Sequence, residues 1–283
     1  MKRMRKPAVA GMFYPASPGE LERTVRDLLE GVTVRVNAGP VTGIIAPHAG
    51  YIYSGETAAL AYAQVQGREY SVVVVVSPSH RDFFDGISVY PGDGYETPLG
   101  GIPIAPEFRD RLREALPGLL MSTQGHGTEH ALEVQLPFLQ CALQPFTLLP
   151  LVIGHQSREH CFGLGKALGD ICAGMDVLLV ASTDLSHFSP AGAAQQLDAV
   201  VAADIAAFDP VQLMRDLEAG AGEACGGGPV AAVMTACDVL GARTATVLGR
   251  SHSGMVTGDH QSVVGYLSAV IHNGQGDAPN EDS

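Results

Sequence analysis

Apolar stretches recur along this chain, and five of them stop at a small polar cluster that contains a histidine. Ile44, Ile45 and Ala46 run into Pro47-His48, and Val72 to Val76 run into Ser77-Pro78-Ser79-His80. Leu148 to Ile153 precede Gly154-His155, Val177 to Ala181 precede Ser182-Thr183-Asp184-Leu185-Ser186-His187, and Thr246 to Leu248 precede Gly249-Arg250-Ser251-His252. Val72 to Val76 are β-branched without polar alternation, which predicts a strand covered on both faces. In an open α/β sheet the ligand crevice lies beyond the carboxyl ends of the strands. Polar residues placed after buried strands therefore converge although they are far apart in the chain. Several histidines meeting there suggest a metal centre or a proton-transfer site.

Helical patterns fill the intervals. Ser17-Pro18-Gly19-Glu20 combine an N-cap, a first-turn proline and a capping-box acid, and Leu21, Val25, Leu28 and Leu29 follow at helical spacing up to Gly31. From Thr128 to Leu143 a helical pattern contains Pro137, which predicts a kink or break near Leu136. Further helices are expected over 157–173, 195–208, 210–217 and 228–240, and a final strand over 262–271. Between about Gly86 and Pro106, short apolar pieces separated by glycine turns predict an antiparallel hairpin that makes the sheet mixed. Strands alternating with helices define an α/β protein. No linker or charge block divides the chain, so 1–272 reads as a single domain, followed by a Gly, Asp, Asn and Pro-rich tail over 273–283 that is expected to be disordered.

Composition narrows the choice of partners. A chain of 283 residues with 46% hydrophobic and 17% charged residues is globular with much buried surface. The net charge of −13 disfavours a surface that tracks phosphates, and nucleic acid with it. Lys2, Arg3, Arg5 and Lys6 begin like a secretory signal, but the apolar run behind them is too short, and no stretch approaches a membrane span. Five cysteines without CxxC spacing indicate neither a disulfide framework nor a zinc knuckle, so a reducing cytoplasm is the expected location. No phosphate-binding loop, dinucleotide fingerprint or nucleophile elbow is present.

The candidate chemistry lies in the polar clusters. His48, in a turn beside Gly50, suits either a metal ligand on rigid backbone or a cap of the next helix. His80 repeats the arrangement, and two such histidines favour a shared site. Asp184 and His187 can form an acid-oriented imidazole able to move protons; alternatively, Asp184 caps a short helix containing His187. Cys225, in a glycine turn ahead of a helix, suits a nucleophile, a metal ligand or a small buried residue, whereas Cys141, Cys161, Cys172 and Cys237 read as packing residues. His126, Glu129, His130 and Glu133 lack the HExxH arrangement and suit hydrogen-bonded support or a pocket wall. His155, His160, His252, His260 and His272 read as surface, capping or supporting residues.

Taken in order, Ala10-Gly11-Met12-Phe13-Tyr14-Pro15, Pro47-His48-Ala49-Gly50-Tyr51, Ser77-Pro78-Ser79-His80, Glu129-His130-Ala131-Leu132-Glu133, Ser182-Thr183-Asp184-Leu185-Ser186-His187 and the Cys225 turn closely resemble the Memo family. Its bacterial and archaeal members are labelled AmmeMemoRadiSam system protein B. The resemblance implies a three-layer α/β/α fold with a largely parallel mixed central sheet, similar to the class III extradiol dioxygenases. By the same resemblance His48 and His80 match the two metal histidines, and His187 the acid/base histidine, with Asp184 beside it. Cys225 stands where the dioxygenases carry a glutamate, which departs from simple extradiol chemistry. The implied cofactor is one iron or copper ion, and a soft thiolate favours Cu(I) while leaving Fe(II) open. Phe13, Tyr51, Tyr53, Glu129 and His130 are expected to edge the pocket. Three functions follow as expectations: redox or oxygen-related metal chemistry, ring cleavage of an aromatic small molecule, or a non-catalytic cleft that binds a peptide. The family label also implies radical-SAM and AMMECR-type partner proteins.

Overall fold

Two hydrophobic cores, one on each face of a sheet, are encoded in alternate positions of the same strands. In the computed structural model, which describes residues 3–34, 36 and 39–274, Val72, Val74 and Val76 join one core while Val73 and Val75 join the other. Ile45 opposes Ile44 and Ala46 in the same way, and Leu179 and Ala181 oppose Leu178 and Val180. A strand buried on both faces has no solvent side to tolerate a polar residue. This is why the runs are unbroken until the sheet ends.

The strands are β1 (Met4–Arg5), β2 (Val41–Ala46), β3 (Val72–Pro78), β4 (Ile87–Val89), β5 (Gly94–Thr97), β6 (Gly100–Pro103), β7 (Leu120–Met121), β8 (Thr147–Ile153), β9 (Val177–Ser182), β10 (His187–Ser189), β11 (Thr244–His252) and β12 (Val263–His272). The helices are α1 (Pro18–Glu30), α2 (Tyr51–Ala63), α3 (Pro106–Ala115), α4 (Gln135–Ala142), α5 (Arg158–Cys172), α6 (Ala191–Ala206), α7 (Pro210–Glu218), α8 (Gly227–Val239) and the short α9 (Gly254–Thr257). The large sheet runs β10-β12-β2-β9-β3-β8-β4-β7, with β11 also paired to β12. At its centre β2, β9, β3 and β8 are parallel, while β12 and β4 flank them antiparallel. Helices α1, α2 and α4 cover one face and α3, α5, α6, α7 and α8 the other. The chain is thus a single α/β domain with three layers and a mixed sheet. Among the described residues no helix is long and apolar enough to cross a membrane.

Several elements depart from the sequence pattern. The segment after Gly86 divides: β4 adds to the large sheet, whereas the β5-β6 hairpin forms a separate three-stranded sheet with β1. The helix expected over 128–143 is confined to α4, and Glu129 and His130 lie outside it. Pro137 falls in the first turn of α4, where its missing N–H costs nothing. Ser17 precedes α1, but its side chain makes no capping hydrogen bond. Gly249 to His252 do not leave the sheet, because β11 continues through them as an antiparallel partner of β12. Of the tail expected over 273–283, residues 275–283 lie outside the described residues.

Candidate metal centre

Three arms meet beyond the carboxyl ends of the central strands. His48 follows β2, His80 follows β3, and Cys225 sits in the turn that enters α8. One ligating atom from each lies within 4.8 Å of the other two. Sγ of Cys225 is 3.2 Å from Nε2 of His48. The His48 and His80 rings meet edge to face at 5.1 Å between centroids, and His130 stacks on His80 at 4.9 Å.

The cysteine turn is held at both ends. Cys225 donates its N–H to the Asp184 carbonyl at 3.1 Å, and Gly226 donates to Thr183 Oγ1 at 2.9 Å. Gln156 closes the other side, its Nε2 donating to the Cys225 carbonyl and its Oε1 accepting from Gly228, both at 2.8 Å. The glycines make this approach feasible. A Cβ on Gly226 would collide with the Ser182 carbonyl, and one on Gly228 would lie 2.7 Å from Cys161 Sγ and 2.8 Å from Gln156 Oε1.

Buried hydrogen bonds decide which imidazole nitrogens are bare. Gln135 must present Nε2 to the Pro47 carbonyl at 3.0 Å, so the same group donates to Ser182 Oγ at 2.8 Å. Ser182 spends its only proton on the Ala131 carbonyl at 2.7 Å. Its oxygen can then only accept from His48 Nδ1 at 2.9 Å, and the lone pair of His48 is left on Nε2, opposite the thiol. His80 is set the same way. Its Nδ1 lies 3.0 Å from Oε1 of Glu129, whose other oxygen accepts the His80 N–H, leaving Nε2 as the free nitrogen. Such outer partners are what metal-bound histidines require. His130 Nδ1 is 3.2 Å from Glu129 Oε1 but misaligned, and it is a buried polar atom with no hydrogen-bond partner.

Burial shapes the electrostatics. His48 is pushed well below its ordinary value, first by burial and then by the neighbouring His80, His130 and His187 rings, so it is neutral at physiological pH. Burial likewise takes His130 down to about 4. For Glu129 burial acts upward, but hydrogen bonds from the His80 ring and from the Ala131 and His80 N–H groups prevail and hold it at about 2. Burial lifts Asp184 to about 7 despite the N–H groups of His48 and Ala49. It also raises the Cys225 thiol, with Asp184 adding to the effect. The neutral His48 imidazole, the His80 ring held by Glu129, a thiol and the orphaned His130 ring nitrogen form a donor set suited to a soft or borderline metal ion.

The other expected residues are placed unequally. Asp184 does not orient His187. Its carboxylate accepts the His48 N–H at 2.7 Å, because the residue after β9 tucks beneath the β2 turn. His187 instead lies in β10, its N–H donating to Glu223 at 3.0 Å and its Nδ1 3.9 Å from that carboxylate. Phe13 packs on His130 at 4.7 Å. Tyr51 belongs to the core, between Tyr14 and Phe138, with its hydroxyl donating to the Val134 carbonyl, whereas Tyr53 is exposed. Glu129 supports His80, and His130 faces both His48 and His80. Sequence reasoning missed Gln135, Gln156 and Glu223. Each is a common polar residue whose partner lies tens of positions away, and no local spacing marks it.

A three-layer α/β protein with a His, His, Cys cluster at its strand ends is the class that this geometry defines. The family model for Memo-like protein matches residues 5–270, and the chain belongs to that family. A MEMO1 family protein of Methanosarcina barkeri is 37% identical over 273 residues, spanning 95% of this chain and 100% of the relative. One from Aquifex aeolicus is 37% identical over 95% of this chain and 99% of its own length. The crystal structure of an uncharacterized protein from Escherichia coli aligns with a TM-score of 0.52 at 22% identity, over 71% of this chain and 86% of that one, a likeness of fold.

Proposed function

We propose that this chain binds one iron or copper ion through His48, His80 and Cys225 and uses it in redox or oxygen-related chemistry. The observation that carries the reading is the pairing of convergence with preset tautomers: three donors within 4.8 Å, with Nδ1 of both histidines engaged by buried acceptors. When bound, the ion would supply Lewis acidity and one-electron chemistry. The protein's own part is to hold donors and protons. Ser182 and Glu129 fix the rings, and Gln156 and Thr183 fix the turn that bears the thiol. Asp184, at about 7, can take or give a proton near neutrality, and His187, half-buried beside Glu223, is the second proton handler.

Metal analysis after anaerobic purification tests this. The wild type is expected to carry about one ion per chain, and His48→Ala and Cys225→Ser to carry little. Equal metal content in all three proteins overturns the proposal.

A further inference from the structure

Beyond β8 a second cluster of donors stands apart from His48, His80 and Cys225. We propose that Asp85, His155 and His160 form a surface site for a divalent transition metal ion of the zinc type. One ligating atom from each residue lies within 4.8 Å of the other two. Oδ1 of Asp85 is 3.8 Å from Nδ1 of His155. That is beyond hydrogen-bond reach, yet close to the separation of two ligands across a tetrahedral ion, about 3.4 Å for bonds of about 2.1 Å.

The three donors are mounted on pinned backbone. Gly154 donates to the Gly86 carbonyl at 3.0 Å and His155 to the Phe84 carbonyl at 2.9 Å, so the chain on either side of Asp85 is laced to the segment carrying His155. A Cβ at Gly154 would strike the Phe84 carbonyl, which is what this close approach demands of the residue. His160 lies in the first turn of α5, its N–H donating to the Ser157 cap at 3.2 Å. Its Nδ1 donates to the His155 carbonyl at 2.9 Å, leaving Nε2 bare, and a backbone carbonyl on the far nitrogen is the usual support of a metal histidine. Two imidazoles and one carboxylate favour zinc, nickel or copper(II) over calcium and magnesium, which take oxygen donors. Asp85 and His155 are exposed, so an ion has a clear entry and room for a water as its remaining ligand.

The site has a structural consequence for the first centre. Gln156, between the two histidines, is the residue that holds the Cys225 carbonyl. An ion bridging Asp85, His155 and His160 would brace that arm.

Zinc chloride is the probe, and equilibrium dialysis with metal analysis the readout, on the full chain carrying His48→Ala and Cys225→Ser. One zinc per chain is expected to remain, and its affinity to drop at least about tenfold with Asp85→Asn or with His160→Ala. In the otherwise wild-type chain, His155→Ala with His160→Ala should lower the zinc stoichiometry by one, which keeps the test open if the first background fails to fold. Unchanged zinc stoichiometry in that double variant overturns the proposal, and so does zinc binding in the first background that is absent or indifferent to Asp85→Asn and His160→Ala.

Discussion

The thiol of Cys225 donates its hydrogen bond to Nε2 of His48, a contact of 3.2 Å between residues 177 positions apart. The direction follows from both partners. His48 keeps its Nδ1 proton on Ser182, and burial, aided by Asp184, keeps the thiol protonated.

Metal binding must therefore displace the thiol proton. Because His48 is already neutral and the thiol titrates above its ordinary range, the affinity should rise about tenfold per pH unit through neutrality, and fall as pH falls. Cobalt(II) titrations at several pH values, followed through the thiolate absorption band, give the slope. A flat profile would mean that Cys225 is not a ligand.

Ser182→Ala removes the acceptor that holds His48 Nδ1 and strands one Gln135 proton. The expected cost is about 1–3 kcal/mol of stability, with metal affinity lowered about 10–100-fold. Denaturant unfolding and metal competition report the two effects separately, and a variant with wild-type affinity shows that the tautomer is set otherwise.

Asp184 carries a pH signature of its own. Burial raises its folded value to about 7 from 3.8, so the native state keeps a proton that the unfolded chain releases. Its contribution is complete below about pH 4 and is lost as pH rises to about 7. Asp184→Asn retains an acceptor for the His48 N–H and cannot ionise. It should flatten the stability profile over that window and leave the variant more stable than the wild type at about pH 8, by up to a few kcal/mol. Parallel slopes in urea-unfolding series would exclude this role.

Glu133 fastens the N-terminal segment. It accepts from the Ala8 and Val9 N–H groups at 2.8 and 3.0 Å, from the Tyr14 hydroxyl, and from the buried Arg5. Glu133→Ala leaves Arg5 buried without its partner, which costs about 3–5 kcal/mol. Limited proteolysis should then cut near Phe13 first, because that segment loses its fastening; cleavage unchanged from wild type would contradict the role.

The strand ends were legible because double-sided burial forces an apolar run to persist until the sheet edge, so the polar clusters that contain His48, His80 and Asp184 stand out where each run stops. Cys225 was legible from its glycines. The supports of those residues were not. Gln135 and Ser182 act through partners brought near only by β9 and α4. Glu129 and His130 have the spacing of a helix, yet the carboxylate of Glu129 binds the backbone of its own turn and of His80, and that competes successfully with helical continuation. The continuous β11 escaped notice because Gly249 reads as a break, whereas the ladder absorbs it as a bulge.

The place of β9 between β2 and β3 sets an order of events during biogenesis. His48 and His80 are synthesised early, on strands that are not neighbours, and they come within reach of one another only after Val177–Ser182 has been inserted between them. Cys225 emerges later still. Until that long-range pairing is complete the three side chains stand apart, so the donor cluster is a property of the folded chain and of no early segment of it.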